Sequence, residues 1–75
     1  MKPKHDVHNT VRQHRMTQGM TQQELADRVG VTRQTVLSIE KGKYTPSIGL
    51  ALLMSRVFEV NVEALFQLNG GDEND

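Results

Sequence analysis

The chain has 75 residues, 36% of them apolar, which supports one small hydrophobic core and excludes two-domain proteins and most enzyme architectures. It contains no cysteine, which excludes a disulfide framework and a thiolate zinc site and is typical of an intracellular compartment. Its nine basic and nine acidic side chains cancel, but three acids lie in the last four residues, so residues 1–71 carry a formal +3.

The apolar pattern predicts an all-α protein, because no stretch alternates apolar and polar residues in the manner of a half-buried strand. Residues 1–6 are polar and are expected to form a flexible N-terminal segment, and residues 69–75 are expected to form a disordered acidic tail. The folded domain is therefore expected over residues 7–68.

Two helices are expected in the first part of this domain. The first covers residues 7–18 and ends at Gly19, which supplies a left-handed C-terminal position. Thr21 and Glu24 have the spacing of a capping box, which predicts that the second helix begins there. Gly30 is expected to end this short helix.

Three further helices are expected after Gly30. Thr32 can cap a third helix that runs until Gly42, and Ser47 can cap a fourth over residues 48–58. Asn61 can cap a final turn or two. The sequence therefore predicts a compact bundle of five short helices without an internal repeat.

The second and third helices have the features of a tightly joined, steeply crossing pair. Helices that cross at about 90–120° through a short turn need a small residue at the crossing and a residue tolerant of positive φ in the turn. Ala26 and Gly30 meet these two demands. The inner apolar positions are Leu25, Val29, Val31, Val36 and Ile39. Arg33, Gln34 and Ser38 are left on the outer face of the third helix.

From residue 9 to residue 66 the sequence resembles the Cro/CI-type helix-turn-helix family, also called XRE-type regulators. The resemblance lies in GMTQQELAD (Gly19–Asp27), VTRQTVLSIEKGKYTPS (Val31–Ser47) and VFEVNVEALF (Val57–Phe66). It implies a lambda-repressor-like DNA-binding domain whose third helix, about residues 33–40, enters the major groove. Groove geometry independently favours arginine on guanine and glutamine on adenine, and Arg33 and Gln34 supply one of each.

The resemblance also implies roles for individual residues. Arg33, Gln34 and Ser38 are expected to face base edges. Contacts to the DNA backbone are expected from Gln22, Thr32, Thr35, Lys41, Lys43 and Tyr44, with a thymine methyl group as an alternative for Thr35. Arg15 is expected to pair with Glu40 and to tie the first helix to the third, which positions the helices more than it stabilises them.

Two residues depart from the family's pattern. His14 stands where an apolar residue is usual, so we expect a looser inner face on the first helix or a neutral, hydrogen-bonded imidazole there. Leu53 stands where a polar residue is usual, which leaves apolar surface that needs a cover.

The candidates for a dimer interface are Leu53, Val62, Leu65, Phe66 and Leu68. Helical spacing predicts a core position for Leu25, Val29, Val36, Ile39, Leu52 and Phe58.

The leading functional hypothesis is a sequence-specific, double-stranded-DNA-binding transcriptional regulator that acts as a homodimer. Its operator would be a pseudo-palindrome with half-sites about 10 to 10.5 bp apart. A dimer is expected because each base contact discriminates by only about 1–3 kcal/mol, and two copies double the number of contacts. The alternative is a protein-interaction module, such as an antitoxin-like partner, with weak or no DNA binding. A restriction-modification controller would share the same architecture.

Other classes of function lack support in the sequence. His5, His8 and His14 are not completed to a tetrahedral metal site by a carboxylate or thiol cluster, so we expect no metal and no cofactor. An enzyme is not expected, since the serines have no adjacent histidine or acid to activate them. The longest apolar run, residues 50–54, is too short to span a membrane. A cytoplasmic protein is therefore expected.

Overall fold

The computed structural model describes residues 7–68. Its elements are β1 (Val7–Asn9), α1 (Val11–Thr17), α2 (Gln22–Val29), α3 (Arg33–Glu40), α4 (Ile48–Phe58), α5 (Val62–Leu65) and β2 (Phe66–Leu68). The five expected helices are present, so the prediction of a small helical bundle is confirmed. The predicted flexible segment 1–6 and acidic tail 69–75 lie outside the described residues. Within residues 7–68, no helix is long and apolar enough to cross a membrane.

A two-stranded sheet joins the two ends of the described chain, and here the expectation of a fold without strands is wrong. β1 and β2 are antiparallel, with Val7 opposite Leu68 and Asn9 opposite Phe66. Residues 7–9 are therefore not the first turn of α1. The side chain of Asn9 marks the change of structure, because its Oδ1 accepts from the backbone N–H of Val11 (3.1 Å) while its Nδ2 donates to the carbonyl of Ile39 (2.9 Å).

Side-chain caps fix where three of the helices begin. The hydroxyl of Thr21 accepts from the backbone N–H of Glu24 (3.0 Å), and the carboxylate of Glu24 accepts from the N–H of Thr21 (2.8 Å). This confirms the predicted capping box at α2. Thr32 and Ser47 cap α3 and α4 through their hydroxyl groups. Asn61 precedes α5 but its side chain makes no capping bond, so that part of the prediction is wrong.

The turn between α2 and α3 has the expected form. Gly30 ends α2 with φ at +76°, and a Cβ atom at this position would meet nothing within 4 Å. The requirement for glycine is therefore conformational and not steric. Ala26 is completely buried, and its carbonyl accepts from the backbone N–H of Gly30 and from that of Val31 (3.0 Å).

The core lies between the helices and receives residues from each of them. It consists of Val11, Met20, Leu25, Ala26, Val29, Val36, Ile39, Met54, Phe58 and Leu65. Two expectations are corrected by this set. Leu52, predicted to be a core residue, is 52% exposed on the outer side of α4. Leu65, predicted as a dimer-interface residue, has no exposed surface and is therefore not available to a partner.

His14 occupies its unusual position on α1 as a half-buried, hydrogen-bonded side chain. Its Nδ1 lies 3.0 Å from the backbone carbonyl oxygen of Thr10. Since a carbonyl oxygen only accepts, this contact is a hydrogen bond when Nδ1 carries the proton. The imidazole also packs beside Phe58, with ring centroids 5.8 Å apart. Of the two alternatives for this position, the structure has the hydrogen-bonded imidazole.

Candidate nucleic-acid interface

Helix α3 turns one side to solvent along its length. Arg33 and Gln34 are exposed and Ser38 is half-buried, whereas Val36 and Ile39 on the opposite side are completely buried. All three predicted base-reading residues therefore share one side of the helix. Leu37 lies on the same side and is half-buried. We call Arg33, Gln34, Leu37 and Ser38 the outer face of α3.

A shallow concavity of about 240 Å³ adjoins this outer face. It is lined by Gln34, Thr35, Ser38, Lys43 and Tyr44. Two predicted base-reading residues thus lie beside three predicted backbone contacts. A cationic ammonium and a phenol placed next to polar groups on a helix suit a surface that binds the DNA backbone at its edge and bases at its centre.

Lys41 lies apart from that concavity. It lines a different, more polar depression of about 380 Å³ together with His8, Arg12 and Glu40, beyond the C-terminal end of α3. Lys41 and Arg12 are exposed, so both cations remain available to an anion. The predicted backbone contacts therefore divide between two sides of α3.

The two predicted contacts before α3 are already engaged within the protein. The Thr32 hydroxyl accepts from the backbone N–H of Thr35 (3.2 Å). Gln22 donates through Nε2 to Glu40 Oε1 (3.2 Å), and its Oε1 accepts from Arg33 Nη1 (3.5 Å). Gln22 thus connects the end of α3 to its beginning. Its amide nitrogen has a second N–H that remains for a phosphate.

Beneath this surface, the predicted ion pair between Arg15 and Glu40 is confirmed. Arg15 donates from Nε to Glu40 Oε2 (2.6 Å) and from Nη2 to Oε1 (3.1 Å). Its Nη1 donates to the carbonyl of Met20 (2.8 Å). The two side chains are only 11% and 4% exposed. Every buried side-chain nitrogen and oxygen of the described residues has a hydrogen-bond partner, so the pair is fully accommodated.

A second exposed surface combines residues of α4 and α5 with residues of β1, β2 and the segment before α4. An apolar groove of about 230 Å³ is lined by Val7, Thr45, Pro46, Ile48, Ala51, Val62 and Phe66, and we call it the α4–α5 groove. The predicted interface residues Val62 and Phe66 line it, while Leu53 and Leu68 are exposed elsewhere. Sequence reasoning missed Ile48, which is 71% exposed. Its position at the start of a helix gave no periodic signal.

Across residues 7–68, no group of three or more histidines, cysteines or acids is placed to hold a metal ion. His8 and His14 belong to this part of the chain, and His5 lies outside it.

Comparison with known proteins agrees with the fold and with the family resemblance. A helix-turn-helix family model matches residues 11–65. A helix-turn-helix-type transcriptional regulator of Archaeoglobus fulgidus is 52% identical over 56 residues, which cover 75% of this chain and 80% of the relative. One from Bacillus subtilis is 47% identical over 60 residues, covering 80% and 91%.

A solved structure supports the architecture. The restriction-modification controller protein C.AhdI from Aeromonas hydrophila has a TM-score of 0.68 and 24% sequence identity, over 72% of this chain and 82% of that chain. At this identity the likeness bears on the fold alone. The family match covers more than half of the chain, and the relatives are aligned over most of their own length. The chain therefore belongs to the XRE-type helix-turn-helix family of transcriptional regulators.

Proposed function

We propose that this protein regulates transcription by binding a specific double-stranded DNA sequence, with α3 in the major groove. The observation that carries the proposal is the outer face of α3. It presents an arginine and a glutamine at the start of a helix whose opposite side packs in the core. A helix fits a major groove about 12 Å wide. Arg33 and Gln34 are both exposed, so neither has to leave the protein core to reach a base.

The contacts are proposed to divide into two kinds. Arg33 donates to guanine O6 and N7, Gln34 pairs with adenine, and Ser38 bonds to a neighbouring base edge. The backbone contacts are Gln22, Thr32, Thr35, Lys41, Lys43 and Tyr44. Apart from Thr35 in the first turn of α3, they come from the residues before and after this helix, an arrangement that fixes the orientation of a helix in a groove.

The proposed assembly is a homodimer joined through the α4–α5 groove. In a two-fold arrangement the same patch serves both copies, so an element that projects from one copy must fill a recess in the other. Ile48 projects at the rim of the groove, and the groove is apolar. We infer that Ile48 of each copy packs into the groove of its partner. The outer faces of α3 in the two copies would then bind half-sites about 10 to 10.5 bp apart.

Selection of bound sites from random duplexes, followed by a salt titration, tests this function. The selected sites should contain two inverted half-sites. Affinity should fall by orders of magnitude between about 50 and 200 mM salt, with a slope near −0.9 per phosphate neutralised. If no sequence is enriched and no salt-sensitive association is found, the protein-interaction module is favoured instead.

A further inference from the structure

Leu37 is an apolar side chain on the outer face of α3 that the core does not use. It is half-buried. Among residues 7–68, the partly buried apolar side chains that pack against the core are Val31, Leu50, Val57, Val60 and Phe66. Leu37 does not belong to that set, so packing against the hydrophobic core does not account for its place in the sequence.

The neighbours of Leu37 on the helix are the proposed base-reading residues. It follows Arg33 by four positions and Gln34 by three, the two spacings at which side chains are adjacent on a helix. Along the axis it lies about 6 Å beyond Arg33. The base pairs of DNA are stacked about 3.4 Å apart. The two side chains are therefore too far apart to contact the same base, and Leu37 faces a base next to the one that Arg33 contacts.

The chemistry of the major groove limits what a leucine there can recognise. Guanine, cytosine and adenine present hydrogen-bond donors and acceptors, whereas thymine also presents its C5-methyl group. A leucine side chain makes no hydrogen bond and gains free energy only by removing apolar surface from water. The thymine methyl group is the partner that offers such surface.

We propose that Leu37 is a specificity-determining residue that contacts the 5-methyl group of one thymine in each half-site. This rests on the proposed function, since it requires α3 to lie in the major groove. The contact adds an apolar element to the hydrogen bonds of Arg33 and Gln34. It requires a thymine at that position of the half-site, which a cytosine cannot replace.

Uracil substitution tests the contact because it removes the methyl group and leaves every hydrogen-bonding group in place. Each thymine of a selected duplex is replaced by deoxyuridine, one position of the half-site at a time. For the native protein we expect one position at which affinity falls about four-fold per half-site, the effect of one buried methyl group. Leu37→Ala should bind the thymine duplex more weakly and show no loss at that position.

Two further variants distinguish a contact made by Leu37 from a contact made by Thr35 and from a general effect of truncating a leucine. Leu52→Ala changes the same side chain on the exposed side of α4 and should keep the uracil effect. Thr35→Ser removes the methyl group of the other candidate for a thymine contact and should also keep it. If Thr35→Ser abolishes the uracil effect, or if Leu37→Ala retains it, Leu37 is not the reader.

The failure of the inference differs from the failure of the proposed function. A native protein that binds a selected duplex but is indifferent to uracil at every position overturns the inference and leaves the function standing. A half-site selected without thymine does the same. Absence of any sequence-dependent duplex binding overturns both. Leu37→Ala should remain folded, since the core does not contain this side chain, and a cooperative thermal unfolding transition checks this.

Discussion

Arg15 on α1 and Glu40 on α3 form a two-point ion pair directly beneath the proposed reading surface. The guanidinium donates to both carboxylate oxygens, at 2.6 and 3.1 Å. The same carboxylate accepts from Gln22, whose amide oxygen in turn accepts from Arg33. Hydrogen bonds therefore run from the buried ion pair through Gln22 to Arg33, the proposed first base-reading residue, and the last of them is the longest at 3.5 Å.

Breaking this pair on one side should be strongly destabilising. The Glu40 carboxylate is 4% exposed in the native protein, and in Arg15→Met it would keep only the amide of Gln22 as a partner, so we expect the free energy of unfolding to fall by about 3 kcal/mol. Urea unfolding measures this loss, and the m-value should stay unchanged. The double variant Arg15→Met/Glu40→Leu buries no charge and should recover much of the loss. Simple additivity of the two single changes would contradict the pairing.

Contacts to bases and contacts to phosphates should respond differently to truncation. Arg33→Ala should cost about 1–3 kcal/mol of binding free energy and relax the preference at one base pair. Lys43→Ala should weaken all duplexes alike and reduce the salt slope by about one. Titrations of a selected duplex and of point-mutated duplexes at several salt concentrations measure both. Equal behaviour of the two variants would show that the division into base and backbone contacts is wrong.

Substitution of Gly30 and of Gly49 by alanine should change the free energy of unfolding in opposite directions. Gly30 has φ at +76°, a conformation that costs an alanine about 1–2 kcal/mol, so Gly30→Ala should lower the free energy of unfolding. Gly49 lies inside α4 without a positive φ, and a Cβ atom there lies 4.0 Å from the Ser47 hydroxyl. Gly49→Ala should therefore stabilise by about 0.5–1 kcal/mol. Thermal unfolding of both variants measures these effects. If both substitutions shift the stability in the same direction, the conformational roles given to Gly30 and Gly49 are wrong.

The features that the sequence predicts well are those determined by local contacts. The start of α4 follows from the Ser47 cap, which needs only residues three positions apart. The capping box at Thr21 and Glu24 is equally local. The pairing of β1 with β2 depends instead on residues at opposite ends of the described chain, and strands of three residues are too short to show alternation.

The features that sequence reasoning missed depend on how elements pack. An uninterrupted apolar run such as residues 50–54 surrounds a helix, so spacing alone did not decide that Met54 is buried while Leu52 is exposed. The burial of Leu65, unlike that of its apolar neighbours, depends on how α5 packs against the core, which the sequence does not show. The engagement of Gln22 by Glu40 is likewise a contact between helices, and the resemblance implied only a phosphate contact for it.

A capping residue that makes a side-chain hydrogen bond should contribute more to the free energy of unfolding than one that makes none. Thr21 accepts a bond from Glu24 and completes a capping box, so Thr21→Ala should reduce the free energy of unfolding by about 1 kcal/mol. Asn61 makes no capping bond with its side chain, so Asn61→Ala should have a much smaller effect. Urea titrations of the two variants under one condition provide the comparison. A larger loss for Asn61→Ala would mean that the caps are assigned wrongly.

A charge at the rim of the α4–α5 groove should separate the proposed dimer without unfolding its subunits. Ile48 is 71% exposed and is the first residue of α4, where an acid interacts favourably with the helix dipole. We therefore expect Ile48→Glu to fold normally, to sediment as a monomer and to lose most of its affinity for a duplex with two half-sites. Met16→Glu, at a 55% exposed position on α1, is the matched control and should remain dimeric. A native protein that sediments as a monomer on the selected duplex, or an Ile48→Glu variant that stays dimeric, would show that the copies do not meet at this groove.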